Sequence, residues 1–174
     1  AGLGWFGKNS MLISRKHGSY TIIGSLIFDQ DYHFKKREIE LDHCGNCTAC
    51  IEACPTQAID GETRTINAPQ CISYFTIEVF KEGSPPGGYE KSQGEVFGCD
   101  ICQEVCPWNN RPIEFAKKVK LSEKQYFIYD FFSRENNKIV DELSSMSNRS
   151  FRKVFDDTPL ARTGRLGVLK NLKK

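Results

Sequence analysis

An α+β fold is predicted for this chain, in three parts: a strand-rich opening, a cysteine-rich middle and a helical end. Three observations predict it. Ser10 to Ser14 and Tyr20 to Phe28 are rich in Ile, Leu, Thr and Tyr and flank His17-Gly18-Ser19, which is turn chemistry, so two strands or a hairpin are expected there. All eight cysteines lie between Cys44 and Cys106. From Ile113 onward apolar residues recur at helical spacing: Ile139, Val140, Leu143 and Met146 share one face, as do Phe151, Val154 and Phe155, and Leu166, Leu169 and Leu172 follow at intervals of three. A charged stretch, Lys35 to Asp42, leads into the cysteines, and Ser84-Pro85-Pro86-Gly87-Gly88 reads as a loop.

The bulk numbers bound what the chain does. At 174 residues, 39% hydrophobic and 26% charged, it is long enough to bury a core and has an ordinary globular composition. No apolar run approaches the ~20 residues of a membrane span, so no membrane partner is expected. The opening Ala1-Gly2-Leu3-Gly4-Trp5 has neither a basic n-region nor a long apolar stretch, and a cytoplasmic protein is expected. It also lacks an initiator Met and reads as mid-domain sequence, so the chain is expected to be a fragment of a longer one. The net charge of +2 is unevenly spread: residues 145–174 carry eight basic and two acidic side chains, a local +6 that leaves −4 for the rest. A basic end on an acidic body points to an anionic partner such as RNA; the alternative is a solvated helical face.

The cysteines carry the chemistry. Cys44-Gly45-Asn46-Cys47-Thr48-Ala49-Cys50-Ile51-Glu52-Ala53-Cys54-Pro55 is the C-x2-C-x2-C-x3-C-P run of bacterial iron–sulfur proteins. Three thiolates two residues apart wrap one face of a cubane; the fourth reaches the neighbouring cluster, from the start of a helix whose first turn accepts Pro55. A second run, Cys99-Asp100-Ile101-Cys102-Gln103-Glu104-Val105-Cys106-Pro107, lacks its first cysteine, and Val96 stands in its place. Aligned on the first run, Cys99, Cys102 and Cys106 fall on Cys47, Cys50 and Cys54. Cys71, between the runs, is then the cysteine left over. The expected sets are Cys44, Cys47, Cys50 and Cys106 for one [4Fe–4S] cluster, and Cys54, Cys71, Cys99 and Cys102 for the other, in a ferredoxin-like region. Two four-thiolate zinc sites would also consume eight cysteines, but zinc favours separated C-x2-C pairs over paired x3-C-P endings. Two close clusters imply one-electron traffic, with potentials anywhere between about −700 and +450 mV.

Gly2-Leu3-Gly4-Trp5-Phe6-Gly7 matches the G-x-G-x-x-G dinucleotide fingerprint, but no strand precedes it within the chain and strand-like sequence follows where a helix is required. Trp5 and Phe6 would also crowd a pyrophosphate. NAD binding is rejected.

The same stretch, continued as Lys8-Asn9-Ser10, joins Asp42-His43-Cys44-Gly45-Asn46-Cys47, Cys54-Pro55-Thr56-Gln57-Ala58-Ile59, Cys71-Ile72-Ser73-Tyr74-Phe75-Thr76-Ile77-Glu78, Gly98-Cys99-Asp100-Ile101-Cys102-Gln103 and Cys106-Pro107-Trp108-Asn109 in a pattern that closely resembles epoxyqueuosine reductase. Ser147-Asn148-Arg149-Ser150-Phe151 and the Arg-rich end resemble that family's C-terminal part. The resemblance covers nearly the whole chain. It implies reduction of epoxyqueuosine to queuosine at the wobble position of tRNA, with electrons from a reducing donor passed through two [4Fe–4S] clusters to cobalamin, and with water lost. It implies a fold in which residues 1–42 end an α/β cobalamin-binding domain of the nitroreductase and reductive-dehalogenase kind. Residues 43–110 form the ferredoxin-like two-cluster domain and 111–174 a helical basic tail. The family's proposed proton donor lies upstream of the Ala1-Gly2-Leu3-Gly4-Trp5 segment, so no catalytic residue is expected in this chain, which should be inactive alone and monomeric.

By the same resemblance Asp100 and Ile101, between two cluster cysteines, are the first choice for cobalamin contacts, with Ser73, Glu78, Lys8 and Asn9 further candidates. Cluster-loop support, or a turn and a solvated lysine, are the alternatives. Arg149, Arg152, Lys153, Arg162 and Arg165 are expected on RNA phosphates, where affinity falls steeply with salt. Trp108 reads as core rather than as a base-stacking platform, and His43, beside Cys44, as a surface histidine or a cluster-tuning donor. Two other classes compete: a stand-alone ferredoxin-like carrier, which needs neither the opening 42 residues nor a basic tail, and a reductive-dehalogenase-like cobalamin enzyme, which lacks the Arg-rich end.

Overall fold

The computed structural model describes every residue except Ala1, Tyr32, Phe34 and Lys36. Ala1 of the glycine-rich opening and Lys36 of the charged stretch therefore lie outside the described residues. The chain is a mixed, mainly helical fold with two small two-stranded ribbons. It divides into two units interleaved along the sequence. The first comprises Ala1–Cys54, Ile59–Ile66 and Ile101–Lys118, the second Pro55–Ala58, Asn67–Asp100 and Val119–Lys174.

In the first unit β1 (Trp5–Phe6) pairs antiparallel with β2 (Leu12–Ile13), Trp5 opposite Ile13. The intervening turn closes through the Gly7 amide on the Met11 carbonyl at 2.9 Å. A bridge between Ser14 and Gly18 continues the ribbon. Gly18 sits at φ +61°, and a Cβ there would fall 1.9 Å from the Asn109 side-chain oxygen. That oxygen accepts from the Ser19 amide at 2.7 Å, and the Asn109 amide group donates to Ser19 Oγ and to the Gln103 carbonyl. Asn109, fully buried, so pins the opening of the chain to the second cysteine run.

Helix α1 (Ala49–Ala53) packs on α3 (Ile101–Glu104), each a single turn carrying the third cysteine position of its run, Cys50 or Cys102. Between them in sequence lie the ribbon β3 (Ile59–Asp60) with β4 (Thr65–Ile66) and, in the second unit, α2 (Ile72–Glu78). The first unit ends with α4 (Asn110–Ala116).

The second unit continues with α5 (Glu123–Phe132), α6 (Asn136–Ser145), α7 (Asn148–Phe155) and α8 (Leu160–Leu172). Its starts are written in the sequence. Ser122 and Gln125 form a reciprocal capping box on α5, and Ser147 accepts from the Ser150 amide at the start of α7. The core holds Phe131, Ile139, Leu143, Phe151, Phe155, Leu160, Val168, Leu169 and Leu172. The helical faces expected around Ile139 and Phe151 therefore turn inward. Val140, Met146 and Val154 pack partly buried against the same core.

Three expectations are corrected. Ser10 to Ser14 does hold a strand, Leu12–Ile13, but its partner is Trp5–Phe6 rather than the expected Tyr20 to Phe28. Among the described residues, positions 20–28 form no strand, and Ile22, Leu26 and Ile27 are almost fully exposed. A continuous apolar run is stable as a strand only when both faces are covered, and neither is covered here. Leu166 is 46% exposed while Leu169 and Leu172 are buried. A spacing of three drifts about 60° around a helix at each step, so three such residues cannot share a narrow face. The helix also breaks at Gly164, whose φ of +69° no helical residue adopts.

Candidate metal centre

The first unit brings Cys44, Cys47, Cys50 and Cys106 round one cavity of about 270 Å3, whose walls also include Lys8, Asn9, Ile13 and Trp108. The entry to Cys44 is clamped by Asp42. One carboxylate oxygen accepts from the Cys44 amide at 3.0 Å, and the other receives Arg64 Nη2 at 2.8 Å. Arg64, with help from that amide, draws the Asp42 pKa down to about 2. Arg64 donates to the Phe6 carbonyl as well, tying the β3–β4 turn to β1. The Cys47 amide closes back on the Cys44 carbonyl at 3.0 Å, around Gly45 at φ +49°. Lys8 Nζ then donates to the carbonyls of Gly45 (2.8 Å) and Cys47 (3.0 Å), strapping the loop and holding a cation beside the thiols.

Cys50 lies on α1, and Cys106 follows α3 in an extended conformation. Cys54 is extended too, at ψ 111°. Both precede a proline, which disfavours the α region for the residue before it. That corrects the placement of the helix at the first run. The helical turn precedes Cys54 rather than beginning there, and Pro55 opens a turn. At the second run Pro107 does begin a 3-10 turn, Pro107–Asn109.

The electrostatics of the cavity suit a multinuclear cation. Burial pushes the thiols of Cys50 and Cys106 up, and the neighbouring thiols push them further. Two thiols so raised hold a negative charge only beside a positive partner. Among the described residues no three His, Cys, Asp or Glu side chains converge on a single ion. Cys44, Cys47, Cys50 and Cys106 line that one cavity together, and four thiols are the donor set of a [4Fe–4S] cluster. Trp5 packs with Cys106 and Cys44 in the same core, edge-on to Trp108 at 4.9 Å and to His43 at 4.8 Å. Its buried indole N–H has no hydrogen-bond partner.

The other four cysteines are divided. Cys54 and Cys102 belong to the first unit, Cys71 and Cys99 to the second. All four are partly buried. Cys71 is the N-cap residue of α2, and Cys99 follows Gly98, which is left-handed at φ +78°.

The remaining site residues are spread over both units. Asn9 is buried, donating to the Cys102 carbonyl at 3.3 Å and accepting from the Met11 amide. Ser73 and Glu78 are on α2, and Glu78 is held by Arg162 through two bonds of 3.0 and 2.8 Å. Ile101 opens α3, with Asp100 just before it. Arg165 is bonded to Asn148 and to the Leu143 carbonyl. Arg149, Arg152 and Lys153 lie exposed on α7.

Residues 43–109 match the family described as a 4Fe-4S double cluster binding domain. Along nearly its whole length the sequence is 40% identical, over 172 residues, to an epoxyqueuosine reductase of Leadbetterella byssophila, covering 99% of this chain and 52% of that one. The chain is homologous to the epoxyqueuosine reductases. The Synechocystis epoxyqueuosine reductase is 38% identical over 162 residues, 93% of this chain and 52% of its own. The solved epoxyqueuosine reductase of Streptococcus thermophilus superposes with a TM-score of 0.70 at 27% identity, over 99% of this chain and 42% of its own. Another epoxyqueuosine reductase, solved with an epoxyqueuosine-modified tRNA-Tyr stem loop, gives 0.65 at 26% identity, again 99% and 42%. The chain thus spans about half the length of the curated epoxyqueuosine reductases it matches.

Several residues around the thiols were not singled out in the sequence. The Asp42–Arg64 clamp joins residues 22 apart, Asn109 joins residues 90 apart, and no local spacing signals either. His43, expected at the surface, is wedged between Trp5 and Trp108 and bonded to Arg15. Its position next to Cys44 was the available signal.

Proposed function

We propose that this chain is the cluster-bearing part of an epoxyqueuosine reductase that acts on tRNA in the cytoplasm. The observation that carries this reading is the gathering of four thiols from both cysteine runs round one cavity, within a chain homologous to epoxyqueuosine reductases over 99% of its length. Cys44, Cys47, Cys50 and Cys106 would hold one [4Fe–4S] cluster; Cys54, Cys71, Cys99 and Cys102 would hold the second, the assignment resting on their spacing. When bound, such clusters supply one-electron transfer. The chain's own residues exclude water from Cys106, hold the Cys44–Cys47 loop through Asp42 and Lys8, and place a positive charge beside the thiols.

Cobalamin is proposed as the partner cofactor, bound mostly by sequence outside this chain. The six residues expected toward it are not gathered around one cavity of either unit: Lys8 and Asn9 line the thiol cavity, and Glu78 is engaged by Arg162. Ser73, Asp100 and Ile101 are the residues proposed to face it. For RNA, Arg149, Arg152 and Lys153 are proposed as the primary phosphate contacts, with Arg162 and Arg165 secondary because Glu78, Asn148 and Leu143 already hold them.

Anaerobically purified full-length protein, given cobalamin and a strong reductant, should remove one oxygen from epoxyqueuosine in tRNA taken from a strain lacking the gene. Nucleoside mass spectrometry reads the result, and Cys99→Ser should abolish it. An unchanged nucleoside, with clusters and cobalamin bound, overturns the reading.

A further inference from the structure

Helix α2 starts at the Cys71 cap, where the Phe75 amide donates to the Cys71 carbonyl at 3.0 Å. Like every helix it leaves its last carbonyls without helical partners. Helix α8 supplies them from side chains. Lys170 Nζ donates to the carbonyls of Phe75 (2.7 Å) and Val79 (2.6 Å), Asn171 to that of Thr76 (2.8 Å), and Thr163 to that of Ile77 (3.0 Å). All three donors are buried. The second N–H of Asn171 reaches the Val96 carbonyl at 2.7 Å, on the strand of chain that runs to Cys99.

Thr76 completes the connection. It is fully buried. Its hydroxyl donates to the Ile72 carbonyl at 2.8 Å and accepts from the Gly98 amide at 3.0 Å, one residue before Cys99. The two segments that carry the second unit's thiols, one led by Cys71 and one ending at Cys99, are thereby bound to each other at Thr76 and to α8 through Asn171.

We propose that Thr76 and Asn171 are positioning residues for the second cluster, fixing the separation of Cys71 and Cys99. This rests on the cluster reading above. A buried hydroxyl that bridges two segments is costly to lose, because the amide it served is left without a partner. The helical end of the chain therefore holds cluster ligands in place in addition to any RNA contact.

Thr76→Val keeps the shape and removes the hydroxyl; Thr76→Ser restores it. The full chain, reconstituted anaerobically, is assayed for iron, for the EPR signals and potentials of both clusters, for bleaching by oxygen and for exchange of the Gly98 amide. Thr76→Val should keep one cluster at its parent potential. The other should be missing, shifted in potential, or bleached on the order of tenfold faster, the factor expected for one buried hydrogen bond. Gly98 exchange should accelerate, and Thr76→Ser should behave like the parent. Two clusters with parent potentials and bleaching rates in Thr76→Val overturn the proposal. Should that variant not fold, Asn171→Asp, of equal shape but without N–H donors, is judged by the same outcomes. A parent chain that binds one cluster only overturns the cluster reading, and this inference with it.

Discussion

Lys8 sits within a glycine-rich segment that resembles a dinucleotide fingerprint, yet its ammonium straps the Cys44–Cys47 loop through two carbonyls. A positive charge beside a cluster favours the reduced, more negative state. Lys8→Met should make the potential of one of the two clusters more negative, read by EPR-monitored redox titration; an unchanged or higher potential contradicts this role. The gathering of Cys44, Cys47 and Cys50 with Cys106 was legible because cysteine spacing within a run is a local, covalent constraint. The contacts of Lys8, Asp42 and Asn109 were not, because their partners lie tens of residues away and nothing in a linear pattern records such a contact.

Among the elements, α7 shows how far periodicity reaches. Phe151 and Phe155 are one helical turn apart, both fully buried, and Phe131 meets Phe155 edge-on at 5.2 Å. Phe155→Ala should cost about 3–5 kcal/mol of stability, measured by denaturant unfolding of the reconstituted chain. Apolar spacing located α6 and α7 well. It misjudged α8, where a spacing of three drifts off the buried face and leaves Leu166 exposed, and residues 20–28, where strand-forming composition lacks a sheet to join. Lys170 gives α8 a pH signature. Burial, and then Lys174, lower its pKa from the ordinary 10.5 to about 8. Lys81, Glu82 and Lys173 face the same cavity. Between about 8 and 10.5 the unfolded chain binds the extra proton and the folded chain does not, so this residue's contribution to stability rises with pH across that window. Lys170→Met should flatten the rise in Tm between those limits, and an unaltered slope contradicts the assignment.

At the scale of the whole molecule, the first unit is assembled from distant stretches of sequence: Cys106 returns to Cys44, Cys47 and Cys50 across some sixty residues. Ile22, Leu26 and Ile27 are almost fully exposed, and the chain spans about half the length of the curated relatives it matches. Iron and acid-labile sulfide, counted per chain after anaerobic reconstitution and read alongside Mössbauer spectra, decide the central proposal. Two cubanes require about eight irons and eight sulfides, with Cys106→Ser losing about half. About two zinc ions per chain and no sulfide, or iron that survives the loss of Cys106 undiminished, would contradict it.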